Sequence, residues 1–330
     1  MDRRSWSLLL VLASIWGASY MLIKIGLRDL SPATVAFARI GLAALVLLPA
    51  AASQNALRPL RGRLVVLPVL GTIQVAGPFL LISLAERSIA SGLAGILVAT
   101  TPLFTALIAL RVDHEERSEG MRLVGVVLGI VGVVILFAGD LTGSRDAVLG
   151  GLAVVLASIG YSVGSFILKR SLPDAPPLGV VAGVMSASAL LLLPAAIATF
   201  PAQAPAVGPI AAVLALGVLG TGVAFVIFYS LIVTVGAARS MLVSYLAPGF
   251  AVAYGAVFLS EPVTVAMIAG LLLIVAGSWL GVEGTRSPLA AARARRGSAP
   301  RPAPSAGRPE SRPPAPGRWP EPTRTGPEAS

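Results

Sequence analysis

Few residues in this 330-residue chain could carry out covalent chemistry. Gly160-Tyr161-Ser162-Val163-Gly164 has the G-x-S-x-G spacing of a serine nucleophile. Such an elbow needs a strand before it and a histidine base beside it. An apolar run precedes Ser162 instead, and the single histidine, His114, stands in the charged stretch Asp113-His114-Glu115-Glu116. That stretch contains metal-ligating residue types, but it reads as a solvated turn. With no cysteine there is no thiolate nucleophile, thiolate ligand or disulfide. No phosphate-cradling G-x-x-x-x-G-K-[ST] loop occurs, which argues against direct ATP drive. The sequence therefore predicts no catalytic residue, no metal site and no cofactor.

The remaining chemistry is non-covalent and depends on where polar side chains stand. Apolar residues make up 56% of the chain and charged residues 12%, far from the roughly 25% charge of soluble domains. Segments of about 20 predominantly apolar residues are long enough to cross a hydrocarbon core as helices. Ten such spans are expected, at roughly 6–26, 33–52, 64–84, 89–110, 122–139, 149–168, 178–200, 208–232, 237–259 and 263–283. Arg3 and Arg4 before the first resemble a signal peptide, but that run is long and has a counterpart in the sixth span, so it is read as a retained helix.

Polar groups at bilayer depth are costly and face a cavity or a partner helix. Those near mid-span are Trp16, Ser19 and Tyr20, then Gln74, Thr100 and Thr101, then Ser158, Tyr161, Ser162 and Ser165, then Thr221, Ser244 and Tyr245. Single serines and threonines are expected to hydrogen-bond between packed helices. Gln74, Tyr161 and Tyr245 have larger polar ends and point to a water-filled central cavity. Arg39 lies about seven residues into the second span. Two readings stay open for it: pairing with carbonyls or snorkelling at a helix end, or a charge that attracts an anion or gates. Lys24 acts with it or marks the end of the first span. Glu86, Asp140, Glu261 and Glu283 all lie near span ends, so no buried carboxylate relay is evident.

The spans fall into two copies. Adding 145 to Glu116, Gly125 and Gly132 gives Glu261, Gly270 and Gly277; Pro102 and Pro248 differ by 146. Leu47-Leu48-Pro49-Ala50-Ala51 recurs as Leu192-Leu193-Pro194-Ala195-Ala196. The predicted units are residues 1–140, residues 146–284 and a tail of residues 285–330. Five spans per copy is an odd number, so the second copy enters the membrane inverted. Placing the N-terminus in the cytoplasm puts eleven lysines and arginines on that side and leaves Lys24, Arg28, Arg87 and Arg145 outside, as the positive-inside rule requires. Both termini are then cytoplasmic. Pro102 and Pro248, each near mid-span, predict broken helices at corresponding positions of inverted halves, the sequence pointer to a midplane site and alternating access. Glycine pairs such as Gly160 with Gly164, Gly125 with Gly129 and Gly277 with Gly281 predict close helix crossings. Nine arginines and eleven prolines in the tail, with little that is large and apolar, predict a disordered segment in weak contact with anionic lipid. They account for much of the net charge of +10, so that charge does not indicate nucleic-acid binding.

Trp16-Gly17-Ala18-Ser19 with Lys24, Ser31-Pro32, Arg39, Thr101-Pro102, Glu116-Arg117, Gly125 and Gly132 resemble one EamA-type repeat of the drug/metabolite transporter superfamily. Pro248, Ser260-Glu261-Pro262, Gly270 and Gly277 resemble a second. The resemblance covers about residues 1–284. It implies an all-α integral membrane protein of ten helices in two inverted five-helix repeats, with a central cavity and, usually, export of small metabolites. It also makes Glu116 and Glu261 loop residues at helix junctions. The second copy departs from the pattern, with Gly160-Tyr161 for the Trp-Gly pair and Val184 opposite Arg39.

The resulting expectation is a plasma-membrane secondary transporter, not an enzyme, exporting a small organic metabolite by alternating access. Its expected solute contacts are Trp16, Ser19, Tyr20, Arg39, Gln74, Thr101, Tyr161, Ser165, Ser244 and Tyr245, with Pro102 and Pro248 as hinges. The other readings are a lipid or lipid-linked sugar translocase, and a membrane receptor or assembly factor acting through the basic tail.

Overall fold

A computed structural model of the chain describes residues 1–112, 120–141 and 144–283. The turn holding His114, Glu115 and Glu116 and the tail 285–330 lie outside the described residues. Within them all regular structure is helical. Helix α1 (Arg3–Gly26) starts at Asp2, whose carboxylate accepts from the Ser5 amide, and α2 (Pro32–Ser53) starts at Ser31, which accepts from Thr34. Both side chains satisfy amides that the first helical turn leaves unpaired. After a 3-10 turn, Arg58–Arg63, the next span is composite: α3 (Val66–Leu70), a π segment (Gly71–Ala76) and α4 (Gly77–Ala85).

Helices α5 (Ser91–Val98) and α6 (Thr101–Val112) are two halves of one span interrupted at Ala99 and Thr100. Pro102 supplies the physical reason, because it has no amide to donate to Val98. The Thr101 hydroxyl donates to the Val98 carbonyl at 2.8 Å, and Thr100 and Ser158 both donate to Leu97. Nearby hydroxyls thus satisfy the backbone that the proline frees.

Next come α7 (Gly120–Gly139), α8 (Arg145–Ser171) and α9 (Pro177–Ala198). A second composite span follows, of α10 (Val207–Gly217), a π segment (Val218–Val223) and α11 (Ala224–Val235). The chain turns at Gly236, whose φ of 87° suits a residue without a Cβ. A short α12 (Ala237–Ser240), α13 (Val243–Leu259) and α14 (Val265–Glu283) complete the order. Pro248 lies inside α13, without the interruption found at Pro102.

Among the described residues, seven helical stretches are long and apolar enough to cross a membrane, and three shorter apolar helices accompany them. Their outward faces carry large apolar side chains such as Leu45, Leu190 and Val233, the last 85% exposed, as lipid contact requires. Packing pairs α1 with α13, α2 with α9, α4 with α8 and α7 with α14. Lipid tails remove the hydrophobic drive between helices, so close van der Waals contact takes its place. Gly277 illustrates it: a Cβ there would sit 2.5 Å from the Gly125 carbonyl oxygen, so only glycine admits this crossing of α14 over α7. Gly160 and Gly164 on α8 likewise pass close to Ile73 and Gln74 of the first π segment.

Candidate functional site

The two π segments organise the interior. Each widens a helix by one residue and turns side chains away from the regular ladder, a distortion often kept for function. Gln74 stands in the first and Thr221 in the second, 147 positions apart. Gln74 packs against Gly164 of α8, and its amide makes no hydrogen bond among the described residues. Thr221 donates to the Leu216 carbonyl and accepts from Arg39 Nε at 2.9 Å.

Arg39 is the centre of the arrangement. Its guanidinium carbon lies 3.9 Å from the centroid of Phe79 on α4, over the ring face. A half-buried cation so placed gains about 1 kcal/mol from the ring quadrupole. Thr221 and Phe79 hold the inner edge and one face of the group. The two terminal NH2 groups, the fork that grips a carboxylate with two parallel bonds, have no acceptor among the described residues. The titratable groups that interact with Arg39 are Tyr161, Tyr20 and Glu86. Tyr161 meets Phe79 edge to face at 6.4 Å, and Tyr20 packs on Gly95 of α5.

An aromatic wall continues from this group. Trp16, one helical turn before Tyr20 on α1, meets Phe225 at 6.1 Å and Phe228 at 5.3 Å on α11. Phe225 and Phe228 each pack on Tyr229. The structure thus gathers Trp16, Tyr20, Arg39, Gln74 and Tyr161 from the expected contacts, and adds Phe79, Thr221 and Tyr229. A single apolar phenylalanine in an apolar span carries no sequence signal, so Phe79 could not have been singled out. Thr221 had one, since it is the counterpart of Gln74 at nearly the repeat shift.

Other expected contacts are engaged locally. Ser19 donates to the Ile15 carbonyl and Ser165 to the Tyr161 carbonyl of their own helices, and Thr101 donates across the interruption to Val98 of α5. Ser162 donates to the Thr101 carbonyl at 2.9 Å, which ties α8 to α6. Ser244 and Tyr245 open α13; the Tyr245 hydroxyl reaches the Ser278 carbonyl of α14 at 3.4 Å rather than the arginine.

The far end of this interior is closed by three charged residues. Lys24 Nζ donates to the carbonyls of Glu86 and, at 2.7 Å, Ile89 in the loop between α4 and α5. Glu261, between α13 and α14, accepts from the Ser91 amide and hydroxyl, both at 2.8 Å, and from the Gly92 amide at 3.2 Å. It therefore caps α5 from the other half of the chain, where a helix N-terminus favours negative charge. Glu86 differs from the sequence expectation. It lies at a span end, yet the structure buries it completely, at 0% exposure.

Comparison with known proteins fits this all-helical bundle. The model of the EamA-like transporter family matches residues 4–138 and again 148–282. The chain belongs to the EamA-like transporter family. A "Probable amino-acid metabolite efflux pump" of Salmonella typhimurium is 26% identical over 297 residues, covering 87% of this chain and 97% of that protein. An uncharacterized inner membrane transporter of Escherichia coli is 29% identical over 254 residues, 75% of this chain and 80% of its own length. A "Probable terminal-alkyne amino-acid exporter" of Streptantibioticus cattleyicolor is 27% identical over 274 residues, 82% and 91% of the two chains. A solved crystal structure superposes with a TM-score of 0.60 at 21% identity, covering 91% of this chain and 100% of the other, a likeness of fold. As an EamA-like protein the chain is a multi-pass membrane transporter of small molecules rather than an enzyme.

Proposed function

We propose that this EamA-like protein exports a small organic solute bearing a carboxylate, through a midplane site that opens to one side of the membrane at a time. The observation that carries the reading is the unfilled fork of Arg39, fixed by Thr221 and Phe79. The guanidinium is half-buried, so its fork stays open to a solute, and a carboxylate would fill it with two charge-assisted bonds. The aromatic wall from Trp16 to Tyr229 would take an apolar portion of the solute. Amino-acid metabolites, after which two of the relatives are named, have both parts.

Ten spans in two inverted repeats are the architecture this reading uses. The twofold match of the family model supports the duplication. So does the packing, in which α1 contacts the second composite span as α8 contacts the first. Rocking of the halves would then expose Arg39 alternately to each side, with the α4–α5 end outside by the distribution of loop arginines and both termini inside. Pro102 interrupts one span, and Thr101 beside it accepts at its carbonyl from Ser162 of α8, the broken-helix setting expected of midplane sites.

The test is solute flux from loaded proteoliposomes. Arg39→Leu should slow efflux of carboxylate solutes about 10- to 100-fold, the scale for losing a hydrogen bond to a charged group, while leaving protein abundance unchanged. Equal loss of abundance and flux would leave Arg39 only a structural role and defeat the proposal.

A further inference from the structure

Glu86 is the anomaly of the described interior. Both carboxylate oxygens are buried and neither has a hydrogen-bond donor among the described residues. The obvious donor, Lys24, gives its ammonium to two backbone carbonyls beside it instead. An ionised carboxylate left without donors in a dry site costs several kcal/mol, and protonation removes most of that cost. The surroundings are built rather than accidental. Lys24 on α1, the loop Glu86–Ile89 and the Glu261 cap on α5 tie three parts of the chain together at one end of the bundle.

We propose that Glu86 is a proton-binding site of the outer gate: the gate shuts over the neutral acid and opens when Glu86 loses its proton to outside water. The proposal rests on the alternating opening proposed above. The step moves one proton, from the Glu86 carboxyl to external water on opening and back before closure, and breaks no other bond. Burial pushes the Glu86 carboxyl well above the usual carboxylate range, against the pull of Lys24 and with a push from Glu261. Arg39 on α2 is the remaining charge that acts on it. Arg145 and Asp146, at the start of α8 beside this loop, are exposed. Because the shut state binds the proton more tightly than the open one, acid favours closure and rising pH favours opening. The window runs upward from the ordinary value of 4.5, and within it the open-to-shut ratio can change about tenfold per pH unit.

The chain has no cysteine, so one introduced thiol reports alone. Leu93, in the first turn of α5 just past the Glu261 cap, is 3% exposed while the end is shut. Leu93→Cys should react with an impermeant maleimide added outside, and the ratio of its rate to that of Leu93→Cys with Glu86→Gln cancels the thiol's own pH dependence. That ratio should climb at least several-fold between pH 5 and pH 8, with about tenfold per unit as the ceiling on its slope, since the glutamine stays neutral and shut. A flat ratio with clear labelling would overturn the proton site alone. Labelling at no pH, with solute flux intact, would overturn the alternating opening and the proton site with it. Infrared spectra of the unsubstituted protein give a reading independent of any variant: a protonated-carboxyl band should persist at neutral pH, and its absence overturns the proposal.

Discussion

Arg39 cannot be replaced by another cation without loss. Its role combines a planar face over Phe79, an Nε bond to Thr221 and two outward NH2 groups, and a lysine ammonium offers none of these together. Arg39→Lys should therefore retain the charge yet lose about tenfold in carboxylate efflux, measured as flux at equal protein density. Thr221→Val removes the acceptor that orients the group, together with the hydroxyl bond to the Leu216 carbonyl, so it should raise KM several-fold with little change in abundance. An unchanged KM would mean that Phe79 alone suffices. Arg39 stood out in the sequence as a charge inside an apolar span with no counterpart in the second copy, and a structural and a solute-binding reading both fitted it there. Its partners were not, since Phe79 is one apolar residue among many. The burial of Glu86 was hidden for another reason: a loop position suggests water, and only the folded bundle places Lys24 and Glu261 around it.

At the scale of elements, the spans are set by apolar runs and their ends by Ser31, Ser144 and the prolines. These patterns are local, so the sequence reading places most spans within a few residues. The π segments are not local in that sense. They arise where Gly71–Ala76 and Val218–Val223 pass α9, α8 and α2 too closely for a regular ladder, and no periodicity announces them. The equivalence of Pro102 and Pro248 in sequence also hides a difference, as only the former stands at an interruption. Gly277 offers the simplest test of element packing. Gly277→Val should destabilise the α7–α14 crossing by about 1–3 kcal/mol, seen as a lower Tm and lower abundance, with KM unchanged because this pair lies away from Arg39. Glu261→Gln should weaken the cap on α5 by removing a charge from three hydrogen bonds, worth about 1 kcal/mol. The expected readout is faster outside labelling of Leu93→Cys at a fixed pH.

For the whole molecule, the proposed transport route uses the bundle and assigns no part to the arginine and proline tail. Removing residues 285–330 should leave solute flux per molecule unchanged, and a complete loss would revive a tail-centred role. The family and the bundle class were legible because a duplicated pattern of apolar runs survives as sequence. The solute and its route were legible only as a short list of polar positions, of which Tyr20 and Tyr161 are the two that act on the Arg39 guanidinium. The central claim is that this site is reached from one side at a time. Gly92 on α5 and Val252 on α13 face each other closely at the outer end, so Gly92→Cys with Val252→Cys can be bridged by oxidation. Efflux of a carboxylate solute from proteoliposomes should stop on oxidation and return on reduction. Undiminished efflux with the bridge in place would contradict the account.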